Sequence, residues 1–403
     1  MPAMTLSFFG PEALKVLHVI PSISPRRGGP SQAAIEMVNA LRLRQVDASI
    51  LTTNDDCDSL LTDLPIGAWT NYAGVPVLAF PRWNPPIGVL KEYIFSSHLN
   101  RWLPAHIRNF DIIHVHALFS YPSTVAMMHA RRARIPYLLR TIGQLSPWSL
   151  AQSKLRKQLM LKLVERRNLD AARLLHFTTT RERDECFTAF GQSFPSLVLP
   201  LGVRLPSLLP ATKSKRDCLR LLFLSRLHPK KQLELLLKGL ALFQSDYPQA
   251  IWQLDIAGTG EPAYLASLQK LAIQLNLSHR CRWLGHVQGD AKTSLLQQAD
   301  WFLLPSAAEN FGIAVVEAMA AGTPVIVSPQ VAVADLIVSA GAGLVCPSDP
   351  ASISKILLTH CQGPTSAMRT AARSLAESTF SWNSVADQLE SSYRQILHPL
   401  AIQ

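Results

Sequence analysis

Residues 305–327 read PSAAENFGIAVVEAMAAGTPVIV. Two glutamates, Glu309 and Glu317, bracket an apolar run that leaves little room for a wet helix face. The preceding WFLLPS reads as a buried strand. FGIAVVEAMAAG reads as a helix with Gly322 just past its end, and Pro324 precedes the next strand. Glu309 then lies in the loop at the strand's carboxyl end, and Glu317 near the second helical turn. Ligands of open α/β sheets bind at that edge. The N–H groups of a helix start hold an anion, and Gly312 lets the backbone approach it closely. Carboxylates accept strong hydrogen bonds from hydroxyls. Such a combination suits a ligand with both phosphates and sugar hydroxyls, which describes a nucleotide sugar. A strand–loop–helix with two solvated glutamates explains the same residues, because one short motif is only a hypothesis.

Other residues have comparable chemistry. FLSRLHPKKQLELLL (223–237) carries Arg226, His228, Lys230 and Lys231 between a strand and a helix. A planar guanidinium fork plus a point charge suits a diphosphate, although basic turns are common in α/β proteins. Gly28-Gly29, in the first βα turn, can cradle an anion, although turns use glycine anyway. Gly258 and Gly260 in AGTGEPAYL lack the third glycine of a dinucleotide loop and read as a tight turn. His114 and His116 alternate on the strand HVHALF and so share a face. No third ligand is visible in the sequence, so no metal centre is expected. His116, nearer the strand end, is expected to face a ligand, with His114 and His18 in the core.

These residues need elements to carry them. ALKVLHVIPSIS, DASILTT, FDIIHVHALFS and PYLLRTIG read as strands, with helices such as SQAAIEMVNALR between them. The pattern restarts at LRLLFLSRL and continues through LDIAGTG, RCRWLGHV, DWFLLPS and PVIVS. Alternation of strands and helices predicts parallel, doubly wound sheets, and 403 residues predict two domains. RLPSLLPATKSKRDC (204–218) is the best linker. We expect an N-terminal domain over 1–205, a linker over 206–218, a second domain over 219–380 and a closing helix within 381–403. The ligand is expected in the cleft between the domains.

Composition narrows the class. Residues 1–210 carry 23 Lys and Arg against 14 Asp and Glu; the remainder carries 16 against 14. A basic half attracts phosphorylated ligands, anionic membranes or nucleic acid. Aromatic residues make up only 7% with no Arg–aromatic platform, so nucleic acid is not an expected partner. AQSKLRKQLMLKLVERRNLDAARL (151–174) predicts a basic amphipathic helix suited to an anionic membrane surface, or simply a solvated face. No apolar stretch is long enough to span a membrane. The N-terminus lacks the basic start of a signal peptide. The six scattered cysteines suit reduced thiols, so a cytoplasmic setting is expected, peripheral at the inner face of the plasma membrane.

In order along the chain, GGPSQAAIEMVNAL, DIIHVHALFS, SRLHPKK, LDIAGTGEPAYLASLQKLA, WLGHV and ENFGIAVVEAMAAGTPVIV resemble glycosyltransferase family 4, the retaining GT-B enzymes. The resemblance covers nearly the whole chain and is more specific in its C-terminal half. It implies an α/β GT-B fold of two Rossmann-like domains, with the last helix crossing back to the first. It implies transfer of a hexose from a nucleoside-diphosphate sugar to a hydroxyl of a glycan or lipid-linked glycan, without metal or cofactor. By position, Arg226 and Lys231 would hold the diphosphate and Glu317 the ribose. Glu309 and the backbone of Asn310, Phe311, Gly312 and Ile313 would contact the sugar, and Gly29 would approach the phosphate. One departure stands out. Many members have His or Arg after the strand where this chain has Ile142; Arg140 and His116 are the residues that would compensate on the acceptor side. That departure leaves open a nucleotide-sugar-binding pseudoenzyme; separately, the same cleft could host another activity of the fold, such as a sugar-nucleotide epimerase.

Overall fold

The computed structural model describes residues 9–10, 12–85, 91–207 and 218–398. Most of the N-terminal apolar patch and residues 208–217 of the expected linker lie outside them. The chain forms two compact units, one from residues 1–202 with 382–403, the other from 203–381.

The first unit is built on strands β1 (Lys15–Ser22), β2 (Asp47–Thr53), β3 (Trp69–Tyr72), β4 (Val75–Phe80), β5 (Ile112–His116), β6 (Tyr137–Arg140), β7 (Leu174–Phe177) and β8 (Ser196–Val198). Their order is β8-β7-β6-β5-β1-β2-β4-β3. All neighbours are parallel except β3 and β4. Helices cover both faces, so β1 and β5 are buried on both sides and read as continuous apolar runs. One face packs Leu17, Val19, Ile113 and Val115 against Leu99, Met127 and Leu169. The other packs Val16, Ile20 and Ile112 against Val38 and Leu41 of helix Gly29–Leu43, and against Val385, Leu389 and Tyr393 of helix Trp382–Leu397.

The helix predicted over 151–174 runs from Lys154 to Ala171 without a break, with a π turn over Leu161–Glu165 inside it, and a separate short helix, Pro147–Ala151, precedes it. Ser153 at φ 52 breaks the run before Lys154, and Leu174 already belongs to β7.

The second unit holds β9 (Leu219–Leu224), β10 (Trp252–Ala257), β11 (Cys281–Gly285), β12 (Trp301–Leu304), β13 (Val325–Val327) and β14 (Gly343–Val345). They form an all-parallel sheet in the order β11-β10-β9-β12-β13-β14. Residues 203–207 were expected at the end of the first domain and the start of the linker. They pack on the second unit instead. The Val203 N–H bonds the Phe380 carbonyl at 2.7 Å, and Gln297 and Arg373 bond the Ser207 and Pro206 carbonyls at 2.7 and 2.9 Å.

Candidate functional site

β9 and β12 are neighbours, so the loops at their carboxyl ends meet. After β9 the chain makes a short 3₁₀ turn, Pro229–Lys231, capped by His228, whose Nδ1 accepts the Lys230 N–H at 3.1 Å. The Lys230 carbonyl accepts the Ala307 N–H at 2.8 Å and the Oγ–H of buried Ser306 at 3.1 Å. The two loops are thereby stitched together. Lys231 Nζ forms an ion pair with Glu309 Oε2. The structure thus joins the two motifs that sequence reasoning singled out separately.

Glu309 is fixed by its main chain as well. Its N–H bonds the Gln330 carbonyl at 3.2 Å, and its carbonyl accepts the Ala332 N–H at 3.1 Å. Gly312 then adopts φ 83, ψ 55 and starts helix Ile313–Ala320 with no side-chain cap. A Cβ there would sit 3.2 Å from Glu309 Cγ and 3.3 Å from Val315 Cγ2, so both backbone angle and space call for glycine. Asn310 and Ile313 are exposed. Phe311 is buried, with its ring 5.9 Å from that of Phe380, which leaves only its main chain for a ligand. Glu317 is partly buried and pairs with Lys292 Nζ of helix Gly289–Gln298 at 2.6 Å. Lys292 escaped sequence reasoning, because a lone lysine in a polar helix carries no pattern.

Arg226 is exposed just past β9. The AGTG turn accounts for its placement. Leu227 N–H bonds the Thr259 carbonyl at 2.8 Å, and a Cβ on Gly258 or Gly260 would lie 1.8 Å from the Ser225 carbonyl oxygen or 2.2 Å from that of Leu227. These glycines let two backbones touch, which extends the β9–β10 pairing on either side of Arg226.

In the first unit, Gly28 at φ 76 caps helix Gly29–Leu43 without a side-chain bond. Gly29 is exposed, and a Cβ there would meet nothing within 4 Å, so packing does not require glycine at this position. The adjoining loops are held by a network that the sequence did not announce. Buried Asp55 takes bonds from Arg27 and from buried Arg82, and Arg82 also bonds the Cys57 and Ser59 carbonyls at 2.8 and 3.2 Å.

His116 and Arg140 depart from expectation. They are 0% and 1% exposed, so neither is presented to an acceptor. The sequence reading also missed a third histidine: the ligand atoms of His18, His114 and His116 lie within 4.8 Å of one another. Their hydrogen bonds order themselves. Arg140 can only donate, so its 3.4 Å contact makes His116 Nδ1 an acceptor. His116 Nε2–H then donates to His18 Nδ1 at 3.0 Å, leaving the buried His18 Nε2–H without a partner. In parallel, His176 Nε2–H donates to the Leu199 carbonyl at 3.0 Å, so His176 Nδ1 accepts from His114 Nε2 at 3.2 Å. His114 Nδ1 in turn accepts from the Tyr393 hydroxyl at 2.7 Å. All four imidazoles are neutral. Burial, reinforced by the Arg140 charge, lowers His18 and His176 to about 3, and burial also lowers His114 and His116. With every Nδ1 lone pair engaged and a guanidinium alongside, the cluster is a structural network that ties helix Trp382–Leu397 to the sheet.

Ile142 sits just beyond β6 at φ 52, a left-handed conformation that β-branched residues rarely adopt. Buried Glu182 clamps this turn. It accepts the Thr141 hydroxyl at 2.5 Å and the Gly143 N–H at 2.6 Å with one oxygen, and the Thr178 N–H and hydroxyl at 2.7 Å with the other. Position 142, partly buried, thus sits in a strained, braced turn.

Comparison with known proteins places this geometry. The family model described as glycosyl transferases group 1 matches residues 210–374, and the glycosyl transferase 4-like domain matches residues 28–202. Among relatives, a D-inositol 3-phosphate glycosyltransferase of Pseudarthrobacter chlorophenolicus is 25% identical over 78% of each chain. Another of that name, from Mycolicibacterium vanbaalenii, is 28% identical over 94% of this chain and 89% of the relative. Among solved structures, Anabaena HepE in complex with UDP superposes with a TM-score of 0.71 at 20% identity, covering 95% of this chain and all of that one. Sucrose-phosphate synthase from Thermosynechococcus elongatus gives 0.67 at 19% identity, covering 96% of this chain and all of that one. The fold is GT-B, with two Rossmann-like α/β units. The chain belongs to the group 1 glycosyl transferases, family 4 type.

Proposed function

We propose that the chain is a retaining, metal-independent hexosyltransferase. It moves the sugar of a nucleoside-diphosphate sugar to a hydroxyl of a glycan or lipid-linked glycan in cell-surface or exopolysaccharide biosynthesis, at the cytoplasmic face of the membrane. The observation that carries this reading is the Lys231–Glu309 ion pair beside the uncapped start of helix Ile313–Ala320. Arg226 and Lys231 offer the two cations a leaving diphosphate needs, and stabilising developing charge is commonly the largest single contribution to such a step. Glu317 is assigned to the ribose hydroxyls, with Lys292 holding its carboxylate. Glu309 and the Asn310–Ile313 main chain are assigned to the sugar. Gly29 offers main chain at a second uncapped helix start. No cofactor is required, the nucleotide sugar being a co-substrate. Uridine is the first base to test, because HepE is solved with UDP and with UDP-glucose.

Ile142 motivates a second reading, a nucleotide-sugar-binding subunit that does not transfer. Incubating the chain with UDP-glucose and other nucleotide sugars, and measuring nucleoside diphosphate release with and without acceptor, separates the two. Transfer predicts release that is lost in Glu309→Ala. Binding without release, unchanged by that substitution, would establish the second reading.

A further inference from the structure

Residues 147–171 of the first unit carry a row of exposed apolar side chains. One side of the segment packs inward. Leu150, Met160 and Leu161 lie against the first core, and Glu165, Asn168 and Leu169 are buried. The other side leaves Trp148 67%, Leu155 84%, Leu159 57% and Leu163 61% exposed. Spacing of four puts the three leucines in one row. The π turn, a feature frequent at functional sites, carries Lys162, Leu163 and Val164 outward together.

Along the row itself the charge is positive. From Trp148 to Val164 the sequence holds Lys154, Arg156, Lys157 and Lys162, and no Asp or Glu. The next acid, Glu165, is buried on Thr124 and Asn168. Arg156 is held by Glu92 at 2.9 Å, and Lys157 by the Ser149 carbonyl at 2.6 Å. Lys154, Lys162 and Arg167 are exposed, with no ion-pair partner among the described residues. Exposed apolar side chains are ordinary when scattered singly, whereas a contiguous patch marks an interaction surface. A row of exposed leucines edged by cations, with the nearest exposed acids, Glu92 and Asp170, each paired to an arginine, fits the boundary between lipid headgroups and acyl chains.

We propose that this segment docks the protein on an anionic lipid bilayer. Leu155, Leu159 and Leu163 enter the interface, and Lys154, Lys162 and Arg167 lie on the lipid phosphates. The inference rests on the proposed transfer only for its use, which is to hold the enzyme where a lipid-linked acceptor resides.

The test is co-sedimentation of the full chain with vesicles of phosphatidylcholine alone or mixed with phosphatidylglycerol. Two variants accompany it: Leu155→Ser/Leu159→Ser/Leu163→Ser and Lys154→Glu/Lys162→Glu/Arg167→Glu. The wild type should bind the phosphatidylglycerol vesicles far more tightly than the neutral ones. The serine variant should lose at least about tenfold in affinity. The charge reversal should lose about a hundredfold or more, since each cation near an anionic leaflet is worth about fivefold. Both variants should keep the wild-type melting temperature and nucleotide binding, which separates failed docking from a failed donor site. Three results would overturn the proposal. The wild type could stay in solution with both vesicles, the serine variant could bind as tightly as the wild type, or a wild-type dimer could become monomeric in the serine variant, assigning the stripe to a second copy.

Discussion

Lys231 and Glu309 each have the other as a partner, so removing one leaves a partly buried charge as well as an empty ligand contact. Lys231→Ala should weaken nucleoside diphosphate binding by about 10-fold to 100-fold, the loss of a charge-assisted contact of about 1.5–3 kcal/mol; calorimetric titration measures it. Unchanged affinity would remove Lys231 from the site. Gly312→Ala should lower stability by about 1–2 kcal/mol in a urea melt, because the left-handed angle and the nearby Glu309 Cγ both oppose a Cβ. Ile142→Gly should act the other way, relieving strain of about 1 kcal/mol. A large loss of stability there would mean that the isoleucine's packing outweighs its backbone strain. The places of Glu309, Glu317, Arg226 and Lys231 in the fold were legible because strand–turn–helix boundaries can be read from apolar runs and glycines. Lys292 and Glu182 were not, because their partners lie tens of residues away in sequence and only the fold brings them together.

Strands buried on both faces announced themselves as apolar runs, which is why β1, β2, β5, β9, β12 and β13 could be placed in advance. The β3–β4 hairpin was missed. Its turn, Ala73-Gly74 at φ 51 and 87, uses alanine where asparagine or aspartate is the usual signal. The helix predicted over 151–174 begins only at Lys154, because helical spacing persists across the break at Ser153, and that spacing cannot register the π turn. Helix Trp382–Leu397 closes on the first unit through apolar packing and through Tyr393, whose hydroxyl donates to His114. Tyr393→Phe keeps the packing and strands that acceptor. It should cost about 1–3 kcal/mol in chemical denaturation, and an unchanged midpoint would show that the network does not secure the helix.

The buried imidazoles give the first unit a characteristic acid response. His18 and His176 remain neutral in the folded state down to about pH 3, whereas in the unfolded chain they take up protons below about 6.5. The unfolded state therefore binds more protons between those values. Stability is full above pH 6.5 and falls as pH drops, by about 1.4 kcal/mol per pH unit for each histidine. Urea melts between pH 7.5 and 5 should show the first unit weakening before the second, and a pH-independent first transition would contradict the neutral assignment. Among the described residues no helix is long and apolar enough to cross a membrane.

The central claim is that Arg226, Lys231, Glu309 and Glu317 form a nucleotide-sugar site, and thermal stability with UDP, GDP, ADP, CMP and NAD added separately tests it most directly. One nucleoside diphosphate should stabilise the chain by about 2.7 kcal/mol at 100 times its dissociation constant, and Lys231→Ala and Glu317→Ala should each reduce that gain. No shift with any nucleotide, or a shift that survives both substitutions unchanged, would contradict the account.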